Sequence, residues 1–129
     1  MWMQVQGFGK YRIYPKRSKI DLLSISGHKI HGPKGTGVLY ISEGVKIKPI
    51  VFGGEQQKNI RSGTENVPGI AGLALAAKEI YTDLEEKVAR MRETEKHFIE
   101  GVTKLEDTTV HGLYDETSAP ISSVWDLRE

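Results

Sequence analysis

Apolar positions along this chain follow one period, then another, then the first again. From residue 20 to residue 52 they come in short runs or alternate: IDLLSIS (20–26) is a compact apolar run suited to a buried strand, and GVLYIS (37–42) is rich in β-formers. In VKIKPIVF (45–52), Val45, Ile47 and Pro49 alternate with lysines. Three strands are predicted, the last demoted to an edge or a strand start because Pro49 has no N–H to give to a ladder. From residue 68 the period lengthens. PGIAGLALAAKEIY, small and apolar, predicts a helix packed closely on its neighbours, with Pro68 in the first turn, where its missing N–H has no cost. A second helix is predicted by the capping-box pattern Thr82-x-x-Glu85 and by Leu84, Val88, Met91, Phe98, Val102 and Leu105 at heptad-like spacing, one apolar stripe with an acidic outer face. TTVHG (108–112) and ISSVWDL (121–127) then predict two strands of a smaller α+β unit.

Two glycine-rich stretches punctuate this order. SGHKIHGPKGTG (26–37) joins the first two strands, and FGGEQQKNIRSGTEN (52–66) leads into the first helix. The first is unusual in carrying a lysine between two histidines directly after a buried strand. A lysine there can be held in a partly desolvated pocket that disfavours its ammonium form and makes it a nucleophile toward aldehydes. The N–H groups of a glycine-rich turn can cradle an anion, and Ser26 and His28 are placed to donate to a phosphate. Aldehyde chemistry beside a phosphate suggests pyridoxal phosphate. The same residues also read as an ordinary polar loop. A Walker phosphate loop is excluded, since no G-x-x-x-x-G-K-[ST] occurs, and His28 with His31 is a weak metal signal without a nearby carboxylate or thiolate.

Composition narrows the classes. With 38% hydrophobic and 27% charged residues, the 129 residues read as a soluble globular domain; no apolar run is long enough for a membrane span, and MWMQVQGFGKYR lacks the apolar core of a signal peptide. A cytoplasmic location is expected. There is no cysteine, hence no disulfide, thiolate metal site or cysteine nucleophile within these residues. The net charge of +1 is unevenly spread: residues 1–78 carry 12 Lys or Arg against 4 Asp or Glu, and residues 79–129 carry 6 against 13. The basic half suits an anion such as a phosphate, but its basic residues lack the interleaved aromatics of a nucleic-acid module. Neither nucleic acid nor a membrane is expected as a partner.

DLLSISGHKIHGPKGTGVLYI followed by GGEQQKNIRSGTENVPGIAGLALA closely resembles the cysteine desulfurases, class V aminotransferase relatives with the type I pyridoxal phosphate fold. The resemblance covers nearly the whole chain and weakens after about Thr108. It implies an α/β fold: part of a three-layer sheet domain leading into a small α+β domain. Residues 1–65 would end the large cofactor-binding domain, and residues 66–129 would supply long helices and the start of the small domain. By resemblance Lys29 is the catalytic Schiff-base lysine, and Ser26 and His28 match phosphate-binding positions. Gln6, in VQGFGK, matches a glutamine bonded to the cofactor's phenolic oxygen. Thr64 matches a threonine that reaches the phosphate of the partner subunit, which implies a homodimer, and Arg61 in the same loop is a candidate substrate-binding residue. The substrate implied is L-cysteine, whose sulfur passes to a protein cysteine as a persulfide, leaving alanine, and then to a sulfur-acceptor scaffold for iron–sulfur cluster assembly. A selenocysteine lyase is a close alternative within the same group.

The chain departs from the family pattern at several positions. The aspartate that pairs with the ring nitrogen should lie three residues before Gln6, where Met3 stands. The aromatic residue stacked on the ring is expected ahead of Met1 and the persulfide cysteine beyond Glu129, so the chain reads as a middle segment, inactive in isolation. Glu55 and Asn59 replace glycines of the second loop, and asparagine tolerates positive φ better than other substitutes. A noncatalytic dimerising or phosphate-binding module derived from the same fold is the alternative.

Overall fold

The computed structural model describes residues 2–3, 7–112 and 123–126. Its contacts divide into two compact units, Met1–Tyr81 and Thr82–Glu129.

The first unit is built on a three-stranded sheet in the order β1 (Trp2–Met3), β2 (Leu22–Ser26), β3 (Gly37–Ile41), with β1 parallel and β3 antiparallel to β2. The two apolar runs read from the sequence are β2 and β3, and they pair from Leu22–Ile41 through to Ser26–Gly37. A 3-10 turn, Gly27–Ile30, follows β2 immediately, and helix α1 (Val67–Tyr81) packs on that turn. Ile20, Leu23, Ile30 and Leu73 are buried and form the core of this unit; each fully buried aliphatic side chain contributes about 1.5–3 kcal/mol.

Helix α1 comes close because its inner face is small. Gly69, Leu73, Ala76 and Ile80 recur at three- and four-residue spacing, and a Cβ on Gly69 would lie 2.7 Å from Thr36 Cγ2. A Cβ on Gly27, under the 3-10 turn, would meet Thr36 Oγ1 at 2.6 Å and Leu73 Cδ1 at 3.0 Å. Glycine at both places is a requirement of close approach. Pro68 lies in the first turn of α1, as predicted, and Asn66 Oδ1 accepts a hydrogen bond from the Gly69 N–H at 3.1 Å, which caps the helix start.

The far end of α1 is fastened to the first residues of the unit. Tyr81 Oη donates to the Tyr11 carbonyl at 3.0 Å and accepts from the Gly9 N–H at 3.4 Å, while its ring meets Phe8 edge to face with centroids 5.2 Å apart. Burial pushes the Tyr81 phenol up, opposed by the Gly9 hydrogen bond and the Arg12 charge. The unfolded chain therefore ionises first, near the ordinary tyrosine value of about 10, and stability falls as pH rises from there through the higher folded value.

VKIKPIVF does not form the third strand expected of it. Residues 45–50 run without a ladder, and Val51 makes only an isolated bridge to Arg61. The alternation is visible in burial, with Val45, Ile47 and Pro49 half-buried and the lysines exposed, but Ile50 is 90% and Phe52 79% exposed. Pro49 removes a donor at the centre of the segment, so the segment lies against the unit without joining the sheet.

In the second unit, helix α2 (Leu84–Val102) precedes the antiparallel pair β4 (Thr108–His111) and β5 (Ser123–Asp126), the two late strands read from the sequence. The N-cap falls on Asp83, one residue after the Thr82 of the capping-box pattern; Asp83 adopts left-handed φ 51° and its side chain makes no cap hydrogen bond. The first helical bond, Lys87 N–H to the Asp83 carbonyl at 3.1 Å, fixes that start one residue later. Leu84 and Ile99 are buried, whereas Phe98 and Leu105 are exposed. The inward stripe runs 84, 88, 91, 95, 99, 102, with half-buried Glu95 on it. Among the described residues no helix is long and apolar enough to cross a membrane.

Candidate functional site

The site is organised by the turn at the carboxyl end of β2. Its closure is double: the Gly27 N–H donates to the Thr36 carbonyl at 2.9 Å, and the Gly32 N–H donates to the Gly27 carbonyl at 2.9 Å. His31 ends the turn at left-handed φ 64°. With both ends tied to Gly27 and the underside resting on Leu73, the backbone of residues 27–32 is fixed by the fold itself.

This turn pairs Ser26 with His28 and carries Lys29 as the next residue. Ser26 Oγ and His28 Nδ1 are 3.1 Å apart, and Ser26 is half-buried while His28 and Lys29 are exposed. Both polar side chains and the lysine are reachable from one short segment outside the carboxyl end of a strand, the place where ligands bind in open α/β sheets. The desolvated pocket expected for Lys29 is not supplied by the described residues. Helix α1 packs on this turn, and His28 and Lys29 are left exposed among the described residues.

The second loop is a separate construction. Its neck is closed by the bridge between Val51 and Arg61 and by the Ser62 N–H donating to the Val51 carbonyl at 3.3 Å. Ser62 is buried, and its hydroxyl donates to the Gly54 carbonyl at 2.6 Å. Gln56 Oε1 accepts from the Gly63 N–H at 3.1 Å, and Gln57 Nε2 donates to Glu65 Oε1 at 3.3 Å. The tip, a 3-10 turn at Gln56–Asn59, holds Gln57, Lys58 and Asn59 at φ 51°, 56° and 61°. Asn59 thus takes the positive φ for which its residue type suggested tolerance. Glu55 is exposed and precedes this turn.

Of the other site residues read from the sequence, Thr64 and Arg61 are exposed on this second loop, and Arg61 Nη1 donates to the Ser62 carbonyl at 2.8 Å. Gln6 lies outside the described residues. Sequence reading missed Thr36, Ser62 and Asn66. Asn66 carried a legible signal, an asparagine two residues before a first-turn proline. Thr36 and Ser62 carried none, since their partners are main-chain carbonyls and glycines chosen by the path of the loops.

Residues able to hold pyridoxal phosphate are therefore present in part. An accessible lysine, a paired hydroxyl and imidazole, and a turn whose glycine leaves no room for a Cβ fit the lysine and phosphate ends of that group. At the position expected to face the ring nitrogen, Met3 brings no carboxylate.

Comparison with known proteins agrees with this arrangement. The family model described as aminotransferase class-V matches residues 4–125. A cysteine desulfurase IscS of Methanosarcina thermophila is 45% identical over 108 residues, covering 84% of this chain and 27% of that protein. A solved NifS-like protein superposes with a TM-score of 0.82 at 38% identity, over 90% of this chain and 31% of its own. The NifS-like protein from Rickettsia africae gives a TM-score of 0.83 at 33% identity, over 92% of this chain and 32% of its own. The chain thus spans about a quarter to a third of the length of these relatives. Cysteine desulfurases of this family use pyridoxal phosphate. By the match of nearly its whole length, the chain belongs to the aminotransferase class-V family.

Proposed function

We propose that these residues carry the lysine-bearing part of a pyridoxal phosphate-dependent cysteine desulfurase, acting on L-cysteine for iron–sulfur cluster assembly. The observation that supports the reading is the doubly closed turn after β2, which carries Lys29 next in sequence to the paired Ser26 and His28. In this reading Lys29 binds the cofactor through its Nζ and, once released by substrate, takes the proton from the substrate Cα. Ser26 and His28 hold the phosphate by charge-assisted hydrogen bonds. When bound, pyridoxal phosphate supplies an aldehyde for amine exchange and a ring that withdraws electrons from Cα. Gln6 orients the ring through its phenolic oxygen, Arg61 receives the substrate carboxylate, and Thr64 reaches the phosphate of a partner subunit.

That last role makes the working form a homodimer, in the cytoplasm, delivering sulfur to a scaffold protein. Exposed Ile50 and Phe52 beside the second loop support an association surface. Residues 1–65 would belong to the large domain and residues 66–129 to the long helices and small domain. Sulfur transfer needs a thiolate acceptor, and the 129 residues contain no cysteine. The isolated chain is therefore expected to hold cofactor weakly and not to turn over L-cysteine.

Reconstitution tests both parts. Visible absorbance that is abolished by borohydride and absent from Lys29→Ala is the expected result, with no sulfide or alanine produced from L-cysteine. A colourless protein that binds inorganic phosphate in a Ser26-dependent way would favour a noncatalytic phosphate-binding module instead. Steady release of sulfide by the unsubstituted chain would overturn the expected inactivity.

A further inference from the structure

Thr36 stands where the Lys29 turn meets the start of α1. Its carbonyl accepts the Gly27 N–H at 2.9 Å, and its hydroxyl donates to the Pro33 carbonyl at 2.7 Å. Its Oγ1 occupies the space in front of Gly27, and its Cγ2 shares with the Asn66 side chain the space in front of Gly69 on α1; Cβ atoms at those glycines would lie 2.6 and 2.7 Å from it. The side chain is thus a wedge between the 3-10 turn and the start of α1, with its rotamer fixed by the Pro33 carbonyl. Ser26 at the end of β2 pairs with Gly37, so the residue next to Thr36 is in the ladder and leaves the wedge little freedom to retreat.

We infer that Thr36 is a positioning residue for Lys29: it sets where the turn sits relative to α1 and so where Nζ is presented. The inference rests on Lys29 being the cofactor lysine. It extends that reading by naming a residue that meets neither cofactor nor substrate. Displacing a reacting group by as little as 1 Å can cost on the order of 100-fold, so a loosened wedge registers in the chemistry of Lys29 before it unfolds the unit.

Substitutions that remove the methyl and the hydroxyl separately provide the test. Thr36→Ser removes Cγ2 but keeps the hydroxyl. The full 129-residue chain is treated with limiting pyridoxal phosphate, reduced with borohydride, and mapped by peptide mass for label on Lys29 relative to exposed Lys34. Hydrogen exchange at the Gly27 and Gly32 amides is followed in parallel. In the unsubstituted chain Lys29 is expected to be labelled preferentially. In Thr36→Ser the Lys29 to Lys34 ratio should fall by about tenfold and both amides should exchange faster. Thr36→Val, which keeps the volume and loses the hydroxyl, should give an intermediate ratio.

A residue that merely stabilises the fold would lower the melting temperature and leave the labelling ratio unchanged, and that outcome overturns the inference. So does unchanged amide exchange in Thr36→Ser. If the unsubstituted chain labels Lys29 no better than Lys34, the cofactor reading itself fails and the inference goes with it. A preference for Lys29 that is indifferent to Thr36 defeats the inference alone.

Discussion

The two glycine-rich loops have similar compositions and are held in opposite ways. SGHKIHGPKGTG is short between its two strands, and its turn is braced from below by Leu73, Thr36 and the small face of α1. GGEQQKNIRSGT is tied mainly to itself: Gln56 to Gly63, Ser62 to Gly54 and Val51, Gln57 to Glu65. The first has the sheet and a helix to fix its path, so a lysine can be exposed on it and still be positioned. The second carries three consecutive non-glycine residues at positive φ and depends on a few hydrogen bonds at its neck. Positional accuracy in the first comes from packing, which is short-ranged and stiff; in the second it comes from polar contacts that water can replace.

Three substitutions would break or sharpen this contrast. The largest effect is expected from Leu73→Ala, which removes the support under Gly27. A buried leucine truncated to alanine costs about 2–5 kcal/mol, so the urea midpoint should fall sharply and the Gly27 amide should lose protection, while the second loop keeps its internal bonds. Ser62→Ala should cost about 1–2 kcal/mol, since the Gly54 carbonyl loses its donor. Loss of protection confined to residues 51–63, with the Gly27 amide unaffected, is the pattern that separate construction requires. The smallest effect, and one of opposite sign, is expected from Lys58→Gly. Relief of a left-handed lysine, less the added chain entropy of glycine, should raise stability by about 0.5–1 kcal/mol. A fall in melting temperature would mean that the Lys58 side chain compensates for its backbone.

Much of this was legible in the sequence, for identifiable reasons. Strand β2 shows as an apolar run because Leu23 is buried and its neighbours half-buried, β3 shows by its β-forming residues although Val38 and Leu39 stay exposed, and α1 shows as a helix because its inner positions leave a helical period. Lys29, Ser26 and His28 were readable because they are neighbours in sequence; spatial proximity followed from adjacency. Segment 45–52 misled because alternation reports which side chains face inward and says nothing of whether a strand stands alongside to accept the hydrogen bonds. In α2 the larger Phe98 drew the stripe one position away from Ile99, which the helix in fact turns inward. Thr36 was invisible because a threonine before a glycine has many uses, and its role exists only once two glycines distant in sequence face it.

The fastening at Tyr81 bears on how the first unit comes into being. Its hydroxyl reaches the Tyr11 carbonyl across 70 positions of sequence. A chain leaving the ribosome can pair β2 with β3 as soon as residue 41 is free, but the brace beneath the lysine turn awaits Leu73, and the closing contact awaits the last residue of α1. Contacts so distant along the chain form late and slow the overall rate. The hairpin thus precedes its own support, and for that interval Lys29 belongs to an unbraced loop. Nascent chains of increasing length should acquire orderly lysine reactivity in one step, when α1 is complete.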